Sequence, residues 1–261
     1  MPSFRTDGAT NRPPHRPAWS RTVSTAITAG ACLLLGPSAG LAAQANAAAR
    51  HPAWQAEVGL LRTHAVRDRS RGAGRLVGSV GPYRPITGER TVLPVLARVK
   101  DRRGRVWLRV RLPGRAFGAS PLPRIGWVSA RNTELSTTGW HIYVDLGGRR
   151  VSAYYGGRLR KSFVAIVGKP STPTPTGDYF VEETVQLFSG QPGGPFALAT
   201  SDRSDVLQEF DGGPGQIALH GLDNVGGQLG TAESHGCIRL ADSSVSWLAA
   251  RIGPGVPVTI R

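Results

Sequence analysis

Three side chains near the end of the chain have the types and spacing for nucleophilic chemistry. His220 stands before Gly221, and the run Ser234-His235-Gly236-Cys237-Ile238-Arg239-Leu240 follows. A cysteine attacks a carbonyl as its thiolate, so it needs a base or cation beside it and backbone N–H groups nearby. His220 and His235 are the available bases. Gly236 removes a side chain where a substrate must approach the backbone. Consecutive N–H groups around Gly236-Cys237 would then face the oxyanion of a tetrahedral intermediate. Two His and one Cys also suit zinc, although catalytic zinc ordinarily takes three protein ligands in a preorganised set.

The rest of the chain bears on whether that cysteine is free to react. Residues 1–21 are polar, with Arg5, Arg12, Arg16 and Arg21 against Asp7. An apolar, small-residue run extends from Val23 to Ala43 and closes on Ala45-Asn46-Ala47. That order is a secretory signal peptide over residues 1–47; the alternative is an uncleaved membrane anchor, which Gly36, Pro37 and Gly40 interrupt. Cys32 lacks the aliphatic residue three positions earlier that a lipoprotein would carry. Cleavage removes Cys32 and leaves Cys237 alone, so no internal disulfide can form. An unpaired thiol outside the cell is an oxidation hazard. A lone core cysteine is the plainer reading, and the polar surroundings of Cys237 speak against it.

The 261 residues are 40% hydrophobic, with 34 Gly and 20 Pro, which suits a turn-rich globular protein. Charge is divided unevenly. Residues 48–136 hold eighteen Lys/Arg and five Asp/Glu, whereas residues 137–261 hold ten and eleven. A basic module is joined to a nearly neutral one. In an exported protein the polyanions such a module meets are wall phosphate polymers, acidic glycans or lipid head groups rather than nucleic acid. The alternative is a solvated basic face that aids solubility.

Positioning the reactive residues falls mainly to strands. The spacing predicts strands over 91–99, 105–112 and 125–128, with Val106, Leu108, Val110 and Leu112 on one face and Arg105, Arg109 and Arg111 on the other. Residues 132–139 read as a polar loop and mark the domain boundary. Strands resume at 141–146, 150–155, 162–167, 178–181, 216–219 and 256–260, with Gly147-Gly148 and Gly156-Gly157 as hairpin turns. The Thr/Pro stretch from Lys169 to Gly177 reads as a constrained loop at the edge of a site. One helix is expected over 242–251, with Asp242 as N-cap and Val245, Leu248, Ala249 and Ile252 on its inner face.

The His220 … Ser234-His235-Gly236-Cys237 pattern resembles the L,D-transpeptidase (YkuD-type) catalytic domain, over residues 139–261. The run Trp107-Leu108-Arg109-Val110 followed by Gly126-Trp127-Val128 resembles bacterial SH3-like domains, over residues 54–136. The resemblance implies a mainly β protein: an SH3-like small β-barrel, then a β-rich catalytic domain with one or few short helices. It implies Cys237 as nucleophile, His220 as base, Gly221 orienting His220 through its carbonyl, and His235 with Gly236 shaping the oxyanion site. Ser234, Arg239, Thr176 and Gly177 are the expected substrate contacts. Arg239 stands where the best-studied members carry Asn. The implied substrate is the peptidoglycan stem peptide, cross-linked 3→3 outside the membrane, with no cofactor, metal, nucleic acid or stable protein partner. Alternatives are an L,D-carboxypeptidase on the same scaffold, or a wall-binding protein with an inactive catalytic domain. A papain-like peptidase would place cysteine before histidine, the reverse of the order here.

Overall fold

The computed structural model describes residues 52–70, 74–114, 122–207 and 214–261. The expected leader at 1–47, with Cys32, lies outside the described residues. Two sheets follow, each with its own apolar core.

Short alternating segments form the first sheet: β1 (Gln55–Leu60), β2 (His64–Arg67), β3 (Leu76–Val80), β4 (Val92–Lys100), β5 (Val106–Arg111), β6 (Ile125–Ser129) and β7 (Thr133–Thr138). They pair antiparallel in the order β3-β2-β6-β5-β4-β1-β7. On β5, Leu108 and Val110 are fully buried while Arg109 is exposed, as the alternation requires. Trp107 is buried on the opposite face, where its indole N–H donates to Asp101 Oδ2 at 3.2 Å. The polar stretch read as a linker at 132–139 is instead largely strand. All six residues of β7 pair with β1, from Thr133↔Leu60 to Thr138↔Gln55. Its four central residues are exposed, so it has no apolar alternation to betray it.

The second sheet comprises β8 (Trp140–Asp145), β9 (Arg150–Tyr155), β10 (Arg158–Gly168), β11 (Gly177–Gln186), β12 (Phe196–Arg203), β13 (Gln216–His220), β14 (Ala232–Ser234), β15 (Ile238–Leu240) and β16 (Pro257–Ile260). Its order is β14-β10-β15-β13-β12-β11-β16-β8-β9, and β9 pairs back onto β10. The long β10 closes the ring by serving β9 along Arg158–Val164 and β15 at Ala165–Ile166. Gly156 and Gly157, at φ of +59° and +74°, make the two-residue β9–β10 turn that the sequence predicts. Helix α1 (Asp242–Ala249) packs Val245 and Leu248 into the core, and Ile252 just beyond it is buried as well. Its N-cap is Ala241 with no side-chain cap, so Asp242 is not the cap the sequence suggested. The Asp242 carboxylate instead accepts Leu222 N–H at 2.7 Å, bracing the loop after His220.

Strand β11 belongs to both cores. Tyr179 and Val181 pack with the second sheet, whereas Phe180, pointing the other way, joins the core of the first. Beside it Glu182 and Glu183 are each only 1% exposed. Arg84 of the first sheet's β3–β4 loop pairs with Glu182, and Thr87 donates to Glu183 Oε2 through its N–H at 3.0 Å and its hydroxyl at 3.1 Å. Among the described residues no helix is long and apolar enough to cross a membrane.

Candidate active site

Strands β13 and β15 run parallel with His220 opposite Arg239. That register carries the histidine at the end of β13 and the cysteine just before β15 to one end of the ring. There a cavity of about 220 Å³ is lined by His220, Cys237, His235, Arg239, Gln216, Ile217, Val225, Pro192 and Ser204 among others. Cys237, His220, His235 and Arg239, singled out from sequence, thus meet around one space.

Backbone carbonyls meet His220, Cys237 and Arg239. His220 donates Nδ1–H to the Gly221 carbonyl at 2.8 Å, which leaves the Nε2 lone pair for proton transfer. Behind the ring lies Gly193, at φ +85°; a Cβ there would sit 2.7 Å from His220 Nδ1, so only glycine fits. Gly221 N–H donates to the Gly193 carbonyl at 2.8 Å, and Gly193 N–H to the Asp223 carbonyl at 2.7 Å, which locks the two loops together. Burial pushes the His220 pKa down, against the opposing Gly221 bond. Burial likewise pushes the Cys237 thiol up, although a β13 backbone bond at Ala218 and the Arg239 charge pull it the other way. Both shifts favour the neutral forms, thiol and imidazole. Cys237 S–H faces the Gln216 carbonyl at 3.8 Å.

The nucleophile turn is braced from beneath. Ser234 is fully buried, donates to the Cys237 carbonyl at 2.6 Å and accepts Gly236 N–H at 3.1 Å. The structure places it under the turn rather than at the cavity, where sequence had it touching substrate. The same bond occupies the Gly236 N–H that sequence assigned to an oxyanion. Gly236 is needed for its φ of +119° and because a Cβ would come within 3.0 Å of Ile217 Cδ1. Thr174 of the Thr/Pro loop donates its hydroxyl to the Gly236 carbonyl at 2.7 Å and accepts Gly168 N–H at 2.9 Å. Thr172 donates to the Ser234 carbonyl at 3.3 Å. Thr176 and Gly177, the residues expected at the substrate, are off the cavity lining. They open β11, two strands from β13, where Thr176 O accepts the Tyr179 hydroxyl at 2.9 Å and Gly177 O accepts Arg261 at 2.8 Å. The loop reaches the site through its middle threonines, not its end.

Lys169 Nζ, which can only donate, lies 3.2 Å from His235 Nε2 and so makes that nitrogen the acceptor. Arg239 reaches the Val225 and Gly226 carbonyls with Nη1 at 3.5 and 3.4 Å, while its buried Nε has no hydrogen-bond partner. Among the described residues no three His, Cys, Asp or Glu side chains gather as a metal ion would require. Gly193 and Gln216 escaped the sequence reading. The Pro192-Gly193-Gly194-Pro195 cluster was a visible signal, since such a run marks a specially shaped loop.

The second sheet is similar to known proteins. The family model of the L,D-transpeptidase catalytic domain matches residues 139–260. YkuD of Bacillus subtilis, assigned as an L,D-transpeptidase by inference, is 32% identical over 125 residues, covering 48% of this chain and 68% of that protein. Its counterpart in Bacillus licheniformis is 32% identical over 124 residues, covering 48% and 67%. Among solved structures, an L,D-transpeptidase from Mycobacterium smegmatis aligns at 20% identity over 60% of this chain and 90% of its own, with a TM-score of 0.36.

Proposed function

Because the chain belongs to the L,D-transpeptidase catalytic-domain family, we propose that it is a cysteine acyltransferase that forms 3→3 cross-links in peptidoglycan. The observation that carries this reading is the convergence of Cys237, His220 and Arg239 on one cavity, with His220 fixed through Gly221 in the tautomer whose Nε2 is basic. His220 Nε2 takes the thiol proton as sulfur attacks the carbonyl of the third residue of a tetrapeptide stem. The tetrahedral intermediate collapses, the carbon–nitrogen bond to the terminal D-alanine breaks, and the imidazolium protonates the departing amine. A side-chain amine of a neighbouring stem then attacks the thioester, gives its proton to His220, and releases the thiolate. With Gly236 N–H turned to Ser234, the oxyanion falls to the N–H of Cys237. Arg239, a cation among the cavity-lining residues, suits a substrate carboxylate. No cofactor or metal enters these steps.

The setting follows from the same reading: export, a wall location, and docking of the basic first sheet on anionic wall polymers. Such docking weakens as salt rises from low to physiological levels, and salt-independent binding to purified wall would exclude it. The second reading, an L,D-carboxypeptidase, uses every residue named and differs only in water as the final acceptor. Mass spectrometry of a disaccharide tetrapeptide incubated with the protein, beside Cys237→Ala, tests both. A dimer lacking one D-alanine, absent with the variant, is the expected result. Tripeptide alone indicates the hydrolase, and equal turnover by Cys237→Ala refutes the assignment.

A further inference from the structure

Glu182 gathers donors from both sheets. Arg84 and the Gly114 N–H, at 2.8 Å, come from the first; Arg203 Nη2, at 3.4 Å from each carboxylate oxygen, and Gln216 Nε2, also at 3.4 Å, come from the second. The Gln216 amide donates as well to the Thr200 carbonyl at 2.9 Å. These ties fall where strand pairing is interrupted. β12 and β13 pair regularly from Ala197↔His220 to Ala199↔Ala218, then skip to Arg203↔Gln216. Where regular ladder bonds are missing, the start of β13 is held by the Gln216 amide together with the Thr200 hydroxyl, which donates to the Ile217 carbonyl at 2.7 Å, and the Ser204 N–H, which donates to the Gly215 carbonyl at 2.8 Å. It is this strand that touches the sulfur: the Gln216 carbonyl accepts the Cys237 S–H at 3.8 Å, and a backbone bond at Ala218 favours the thiolate.

We propose that Gln216 is a positioning residue for Cys237, and that Arg84, acting through Glu182, holds it in place so that the first sheet contributes to the reactivity of the nucleophile on the second. The inference rests on the reading of Cys237 as nucleophile. With Arg84 gone, the buried carboxylate turns to its remaining guanidinium, Arg203, and its long bond to Gln216 is lost. The start of β13 loosens, and the thiolate loses part of its backbone stabilisation.

The experiment is iodoacetamide alkylation of Cys237 in the full chain across a pH series, read by peptide mass, in wild type, Arg84→Ala, Arg84→Lys and Gln216→Leu. Folding of each is checked by melting. Arg84→Ala and Gln216→Leu should move the alkylation profile upward by about half a pH unit, roughly a threefold lower rate at neutral pH. Arg84→Lys, which keeps the charge, should recover most of the rate. In turnover, kcat should fall with little change in KM. Should Arg84→Ala fail to fold, Gln216→Leu decides, because Gln216 is only partly buried and leucine fills its volume. A folded Gln216→Leu protein with the wild-type profile would overturn the proposal. Alkylation needs no peptidoglycan, so a shifted profile in a protein that makes no cross-link sinks the functional reading and leaves the positioning role standing.

Discussion

Replacing Thr174 by valine removes one hydroxyl and almost no volume. That hydroxyl, on a residue 4% exposed, serves two backbone groups: it donates to the Gly236 carbonyl and accepts the Gly168 N–H. Valine keeps the β-branched shape and leaves a donor and an acceptor unpaired. Each such group costs about 1–3 kcal/mol. Because Pro173 beside it is exposed and water can reach part of the loop, the sum should lie in the lower half of the resulting range, about 3 kcal/mol. For a unit of this size that corresponds to a fall in Tm of about 6–12 °C. Thr174→Ser keeps the hydroxyl and should cost under about 1 kcal/mol. Differential scanning calorimetry of the three proteins measures this directly, and alkylation of Cys237 reports whether the freed Gly236 carbonyl slackens the nucleophile turn. A valine variant melting within about 2 °C of wild type would refute the role given to the Thr/Pro loop.

Other perturbations have equally definite outcomes. Burial raises the Asp202 carboxyl from 3.8 to about 7, against smaller opposing effects of its hydrogen bonds with the Tyr179 hydroxyl and the Arg203 N–H and of the Arg124 charge. The folded chain keeps this proton while the unfolded chain loses it, so stability should fall as pH rises from about 4 to 7, by at most about 4 kcal/mol. Asp202→Asn should flatten that slope in urea titrations and, since the Asp202 charge opposes the thiolate, move Cys237 alkylation to lower pH. Gly193→Ala drives a Cβ into the His220 ring; turnover should drop on the order of a hundredfold, and an unchanged rate would mean that the loop does not hold the base. The acid limb of kcat/KM should have its midpoint below the ordinary imidazole value of 6.5, because burial lowers the His220 pKa.

What the sequence disclosed follows a physical line. β5 was legible because one face is core and the other solvent; the β9–β10 turn, because two adjacent glycines at positive φ have few other uses. Cys237, His220 and Arg239 were legible because their chemistry is carried by residue type. β7 was invisible because its stability comes from pairing with β1 and not from burial. β12 ends in Thr200, Asp202 and Arg203, all buried, and no apolar pattern can announce a strand whose buried neighbours are polar. Asp242 had the right type for a cap, and only tertiary structure shows its carboxylate spent on Leu222. Thr176 and Gly177 close the correct loop, but linear proximity does not say which part of a loop turns inward. Glu182 and Glu183 gave no signal, because adjacent carboxylates do not announce burial and only the first sheet covers them.

Strand β11 makes the change in charge near residue 137 a poor place to cut. A fragment beginning at Gly139 would bare Phe180 to water and strip Glu182 and Glu183 of Arg84 and Thr87. It would gain a sticky, charged scar on the back of its sheet. Heated intact, the two sheets should lose their structure in one cooperative transition, with the calorimetric and van't Hoff enthalpies in agreement. A lineage carrying this catalytic sheet can therefore shed its basic partner only by rewriting β11 as well, which ties the inheritance of the two halves together.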